Sequence, residues 1–346
     1  MRALVYAGAG GVEVISLEER PDPLPGARQI QVRVHAAGLN RADIHQRRGS
    51  YPAPPGWPAD IPGLEYAGVV ASTGDGVSRW RTGDRVMGLV GGGAHAEFVV
   101  VHEDEALAIP SGLSMAEAAA IPEAFLTAYD ALLTRGRLAR GEVVLVHAVA
   151  SGVGTAAIQI AKVLGATVLG TSRTPGKLQS LGALGLDVAI DTSGGSFREQ
   201  ITLPVHVILD VLGGPAFQEN LALLSPRGRL VLLGFLQGPV VPQASLEMIL
   251  RKRLEIIGTV MRTRGADERS ALIAEFAGRV LPLFGAHFRS DSPMLSMSHP
   301  EQSDAVLRPV VHQVFPMREA ALAHHAMESN DTIGKIVLTW SVNGEP

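Results

Sequence analysis

The segment 142–177, EVVLVHAVASGVGTAAIQIAKVLGATVLGTSRTPGK, constrains this chain more than any other. An apolar run (143–147) leads into a tight turn of small residues (150–154). An amphipathic stretch with helical spacing (155–164) and a second apolar run (167–171) follow. Strand, turn, helix and strand in that order make a βαβ unit, whose parallel strands belong in a sheet covered by helices on both faces. Small residues at the first turn let a ligand's phosphates approach the backbone. The helix N-terminus then offers them free N–H groups and a partial positive charge.

In strict G-x-G-x-x-G register the turn carries Val149, Ser151 and Gly154, so glycine stands only at the last position, with Gly152 as an extra. The turn alone is equally an ordinary βαβ connection whose glycines serve helix packing. The end of the second strand adds independent information. A carboxylate there would accept from the ribose 2′-OH of NAD; Ser172 and Arg173, with Lys177 just after, suit the 2′-phosphate of NADP instead. The competing reading is a solvated basic loop. Position and charge agree on a bound NADPH, with Ser151, Gly152, Val153 and Gly154 at its pyrophosphate and Ser172, Arg173 and Lys177 at its adenosine end.

The first third of the chain is dense in Gly and Pro, with short alternating runs at 31–35, 66–71, 85–89 and 96–101, the pattern of a compact β-barrel-like domain. From Pro122 the pattern changes. Residues 123–134 have helical spacing, and from Glu142 strands and helices alternate to a last strand at 255–260. A helix is expected at 267–280, a surface loop at 287–305, and a final strand at 332–340 that returns to the β-rich domain. The 346 residues suffice for about two domains. Net charge is −4, which argues against nucleic acid or an anionic membrane as partner. The absence of cysteine excludes disulfides and thiolate metal sites and fits a reducing cytosol. No signal-peptide pattern is visible, and no long uninterrupted apolar run predicts a membrane span.

The segments AGLNRADIHQRRGSY (37–51), IPGLEYAGVV (61–70), AAAIPEAFLTAYDAL (118–132), SGVGTAAIQIAK (151–162) and IGKIVL (333–338) resemble the zinc-free quinone oxidoreductases of the medium-chain dehydrogenase/reductase superfamily, in their tumour-suppressor-inducible branch. The resemblance spans nearly the whole chain. It implies an α/β protein with a GroES-like β-barrel catalytic domain from residues 1–122 and 263–346. A Rossmann doubly wound parallel-sheet domain at 123–262 binds the dinucleotide, and the protein forms a homodimer or homotetramer. Where zinc-dependent relatives carry two Cys and one His, this chain has Asn40, Leu64 and Glu123, a set that cannot make the usual nitrogen/sulfur site. Without a Lewis acid, alcohol oxidation through His45 loses its rationale, and His45 is read as structural. The departures are the segment 287–305 and Asp191, on the sheet side of the adenosine pocket.

Hydride transfer needs an acceptor stacked on a bound nicotinamide, and a hydrogen-bond donor for the oxygen that gains charge. Tyr51 matches the family's pocket tyrosine; otherwise it packs beside prolines. Asn40 is a second candidate donor or nicotinamide contact, and otherwise a turn-forming residue beside Gly38. Ser151 touches cofactor or substrate, or caps a helix. The resemblance places Thr127 at the nicotinamide ribose and Lys335 near the cofactor. Gly234 and Phe235 sit at a strand end where a doubly wound fold exposes ligand, so Phe235 either walls the nicotinamide or packs in the core. Asp43 is expected to order its loop by accepting from backbone groups, and Gly91-Gly92-Gly93 to form a hairpin. The implied activity is NADPH-dependent reduction of a small-molecule quinone, by hydride or by single electrons, without metal or flavin. An enoyl or alkenal reductase acting on an unsaturated carbonyl, or an NADPH-binding protein without turnover, are the alternatives.

Overall fold

A computed structural model of the chain describes residues 1–284 and 307–340, so the expected loop at 287–305 lies outside the described residues. The described chain groups into two compact units. One combines residues 1–126, 261–284 and 308–340; the other is 127–260 with residue 307.

The first unit opens with the antiparallel pair β1 (Arg2–Tyr6) and β2 (Ile15–Glu19). Its hub is β3 (Gln29–Leu39), whose alternation buries Ile30, Val32 and Val34 while Arg33 stays exposed. Helix α1 (Arg41–Arg47) follows directly. Then come β4 (Glu65–Thr73), β5 (Arg85–Leu89), β6 (Phe98–His102) and β7 (Ala106–Ala108), with helix α2 (Met115–Ala119) behind them. The three glycines at 91–93 do not make a hairpin. β5 pairs with β4 and β7, whereas β6 pairs with β3, so the segment between them is a crossover. Glycine is needed there for another reason: a Cβ on Gly91 would drive into the Trp57 ring.

Helix α3 (Pro122–Tyr129) leads into the second unit and ends in a wider turn, Asp130–Arg135, in which Gly136 N–H bonds the Ala131 carbonyl five residues back at 2.9 Å. The second unit contains β8 (Val143–Val146), α4 (Gly152–Leu164), β9 (Thr167–Ser172), α5 (Pro175–Leu181), β10 (Val188–Asp191), β11 (Val205–Asp210), α6 (Phe217–Leu223), β12 (Leu224–Leu232), α7 (Leu246–Lys252) and β13 (Glu255–Gly258). Its six strands are parallel in the order β10-β9-β8-β11-β12-β13. All four residues of β8 are buried, as a central strand covered on both faces requires. Numbered within the unit the order is 3-2-1-4-5-6, that of the doubly wound dinucleotide-binding fold, and the reversal between β8 and β11 marks where such sheets bind ligand.

The chain then returns to the first unit through α8 (Ala266–Arg279), β14 (Val311–Pro316), α9 (Ala320–Glu328) and β15 (Lys335–Thr339). β15 lies antiparallel to β3, which joins the last described strand to the hub of a seven-stranded sheet.

Candidate functional site

In the second unit, the backbone leaving β8 is fixed on both sides. His147 N–H bonds Leu209 O at 3.1 Å, and Val149 N–H bonds Thr171 O at 3.0 Å. Between them Ala148 takes φ +48°, a left-handed conformation that costs an L-residue energy and is held only where its surroundings impose it. Ser151 caps α4, its Oγ accepting from Gly154 N–H at 3.1 Å, which leaves its O–H to donate elsewhere. As the first residues of the helix, Gly152 and Val153 have no acceptor within the helix for their N–H groups. A side chain on Gly154 would collide with the backbone of Val149, so glycine there is what brings helix and strand this close. These features fit a pyrophosphate.

A buried polar chain supports the turn from below. His147 Nε2 lies 2.8 Å from Asn220 Oδ1 and Nδ1 lies 2.9 Å from Thr171 Oγ1. Asn220 Nδ2 donates to Asp210 Oδ2 at 3.2 Å, so its Oδ1 is the acceptor and the His147 proton sits on Nε2. Burial lowers the His147 pKa and keeps the ring neutral. Sequence reasoning passed over this group, although His147 interrupts an apolar run and a buried imidazole requires partners.

At the end of β9, Ser172 closes a local turn, its Oγ accepting from Thr174 N–H at 3.1 Å. Arg173 is exposed and Lys177 is half-buried on α5. Asp191, the register partner of Ser172 on β10, puts a carboxylate on the same rim. Gly234 and Phe235 follow β12, and the Phe235 ring is 53 % exposed, which rules out the core role. Thr127 Oγ1 on α3 is buried with no hydrogen-bond partner among the described residues, the kind of orphan a ligand hydroxyl would satisfy.

The first unit holds a second polar group, built where β3, β4 and β15 meet. Glu65 is fully buried and Lys335 is 5 % exposed; their charged atoms are 2.6 Å apart. The Lys335 ammonium also donates to Leu39 O at 2.9 Å and to Asn40 Oδ1 at 2.5 Å. Asn40 Nδ2 donates to Glu65 Oε1 at 2.9 Å and to Gly38 O at 3.3 Å, and Glu65 Oε2 accepts Glu123 N–H at 2.7 Å. A Cβ on Gly38 would overlap the Glu65 carboxylate, so glycine makes room for the network. Lys335 thus has three acceptors for its three N–H groups, and a cofactor contact would cost it one of them. Asn40 has both amide hydrogens engaged and donates to a substrate only by releasing the longer bond. The geometry makes both residues part of a preorganised scaffold.

Asp43 accepts Asn40 N–H at 2.8 Å and Gly63 N–H at 3.1 Å, ordering the loop from the backbone as expected. The half-buried Glu123 carboxyl is pushed up to about 8, first by burial and then by neighbouring Glu65. Tyr51 is half-buried; burial raises its phenol pKa and the nearby Glu123 raises it further, while Arg262 lowers it. Arg262 was absent from the sequence reading, yet its guanidinium lies 4.9 Å from the Tyr51 ring centroid. His45 is exposed on α1 and takes no part in this group.

The chain matches the model of the alcohol dehydrogenase GroES-like domain over residues 26–111 and that of the zinc-binding dehydrogenase domain over residues 152–278. A quinone oxidoreductase of Pseudomonas aeruginosa is 31 % identical, with 97 % of this chain and 99 % of that protein covered. The human synaptic vesicle membrane protein VAT-1 homolog is also 31 % identical, with 98 % and 86 % covered. Among solved structures, the Escherichia coli quinone oxidoreductase complexed with NADPH superposes with a TM-score of 0.81 at 28 % identity, covering 98 % of this chain and 100 % of that one. The chain belongs to the medium-chain dehydrogenase/reductase family, as a GroES-like domain joined to a Rossmann domain. It is an oxidoreductase of that family using a nicotinamide cofactor.

Zinc does not fit Asn40, Leu64 and Glu123, the residues that the resemblance sets at its ligand positions. Asn40 is committed to Glu65 and Lys335, Leu64 is a buried alkyl group, and Glu123 is a carboxyl driven toward its neutral form. Among the described residues no helix is long and apolar enough to cross a membrane.

Proposed function

We propose that this protein is an NADPH-dependent quinone oxidoreductase that works without metal or flavin. The cofactor, when bound, supplies a hydride from the nicotinamide ring. The turn at 151–154 holds its pyrophosphate through backbone N–H groups, and the Thr127 hydroxyl meets the nicotinamide ribose. Ser172, Arg173 and Lys177 take the 2′-phosphate. Arg173 and Lys177 bring positive charge to the strand end where the carboxylate of Asp191 also stands, and a dianion is drawn to such cations. Gly234 and Phe235 line the nicotinamide.

The observation that carries the reading is the replacement of soft metal ligands by a hydrogen-bonding framework, Asn40–Glu65–Lys335 with Glu123, beside which Tyr51 supplies a neutral phenol. A quinone reduced by hydride gains negative charge on oxygen, and a fixed O–H donor stabilises that charge as it develops. The similarity to two quinone oxidoreductases supports the substrate class. A cytoplasmic homodimer or homotetramer completes the proposal.

The test is a side-by-side kinetic panel of quinones, enoyl thioesters, alkenals and primary alcohols with NADPH and with NADH. Quinones with NADPH should give the highest kcat/KM. A large advantage for enoyl thioesters would make the protein an enoyl reductase. Tight NADPH binding with no turnover of any acceptor would make it a binding protein.

A further inference from the structure

The Arg262 side chain joins the Tyr51 loop to its surroundings on three sides. It is 6 % exposed. Its Nε donates to Gly91 O at 2.8 Å, Nη1 to Tyr51 O at 3.0 Å and Nη2 to Gln46 Oε1 at 2.7 Å. Gln46 is itself anchored, donating to Ala59 O at 3.2 Å. All three acceptors of the guanidinium are neutral. A buried cation with only neutral acceptors keeps its field, and the Tyr51 ring lies under that field.

We propose that Arg262 is the positioning residue for Tyr51: its fork fixes the loop that carries the ring, and its charge biases the phenol toward donating a hydrogen bond to the oxygen of a carbonyl acceptor. The proposal rests on the reading of Tyr51 as the donor to the acceptor. A phenol with a cation over its ring is a stronger donor than one packed among neutral groups, and its advantage grows as the acceptor oxygen becomes anionic. The charged and titratable groups facing the pair are few. Glu123 faces Tyr51 from α3; Asp43 on α1, Glu123 and the phenols of Tyr6 and Tyr51 face Arg262. Burial pushes the Tyr51 phenol up, and Arg262 is the group that pulls it back. A mere clamp would need the fork alone; the neutral character of its acceptors is what leaves the charge available to the ring.

The chain has four tyrosines, and Tyr6, Tyr66 and Tyr129 are 6 %, 0 % and 1 % exposed, whereas Tyr51 is half-buried. Burial pushes the Tyr6 and Tyr66 phenols far above their ordinary value. Full-length protein labelled with 13C at the tyrosine ζ carbon is titrated with alkali, and Tyr51→Phe assigns the resonance. In Arg262→Gln the Tyr51 titration should move to higher pH, and kcat/KM for a quinone should fall by about tenfold or more. The affinity for NADPH, read by its fluorescence, should stay unchanged. In Arg262→Lys, which keeps the charge and loses the fork, the titration should stay near the wild-type position while the quinone KM rises. An unmoved Tyr51 titration in Arg262→Gln overturns the electrostatic role. Should that variant not fold, a displaced titration in Arg262→Lys overturns it instead. If the titration moves but Tyr51→Phe turns over quinones at the wild-type kcat, the Arg262–Tyr51 coupling stands, while the catalytic half of the proposal and the reading of Tyr51 fall together.

Discussion

Replacing Lys335 by Met isolates what the buried network contributes. The substitution keeps the length of the side chain and removes the ammonium that lies 2.6 Å from Glu65. Glu65 is fully buried and would retain only the Asn40 amide and the Glu123 N–H as donors. Removing one partner of a buried ion pair typically costs about 3–5 kcal/mol, because it strands a charge that water cannot reach. For a cooperative unit of this size that corresponds to a fall in Tm of roughly 6–20 °C. Glu65→Gln removes the stranded charge, so the double variant Lys335→Met/Glu65→Gln should recover more than half of the loss. Thermal unfolding of wild type, both single variants and the double variant at pH 7 completes the cycle. Additive losses, with no recovery in the double variant, would refute the claim that the two charges are held by each other.

Removing charge at Arg173 and Lys177 together should lower the preference for NADPH over NADH by about 1–3 kcal/mol, five- to 150-fold in the ratio of kcat/KM; equal losses with both cofactors would place the cations outside the adenosine site. Gly154→Ala sets a methyl group against the Val149 backbone, so it should weaken dinucleotide binding and lower the Tm together, as titration and calorimetry on one sample would check. The Glu123 carboxyl is raised in the folded protein from the usual value near 4.5 to about 8, so the folded state favours its proton. That contribution to stability is complete below pH 4.5 and is lost as pH rises through 8. Denaturant unfolding of wild type against Glu123→Gln should show wild type losing ground steadily over that interval, and a pH-independent difference would contradict the shifted carboxyl.

What the sequence made legible were the local features. The βαβ unit at 142–177 is there, its strand boundaries within a residue although its helix begins at Gly152 rather than at 155, because apolar runs of strand and helix length, a small-residue turn and a capping Ser151 all specify the same local structure. Asp43 was readable from its place in the first turn of α1. The polar group of the first unit was not, because Asn40, Glu65 and Lys335 are brought together by the pairing of β15 with β3, and Asn40 and Lys335 lie 295 positions apart. A signal was present: Glu65 and Lys335 each open an apolar strand, and charges that lead into buried strands need partners. It names the residues without naming the pairs. Arg262 gave no signal, since it lies outside any periodic element. The glycines at 91–93 misled for the opposite reason. Their composition suits a hairpin, and only the partners chosen by β5 and β6 show that the chain crosses over instead.

The most direct measurement is a single-turnover experiment. Enzyme saturated with NADPH deuterated at the transferred position is mixed without oxygen with a simple benzoquinone, and the decay of reduced-nicotinamide absorbance is compared with that of the unlabelled cofactor. The account predicts one equivalent of NADPH oxidised per site, a slower decay with deuterium, and a further loss of rate in Tyr51→Phe. Bound NADPH that persists unoxidised in the presence of quinone would contradict it.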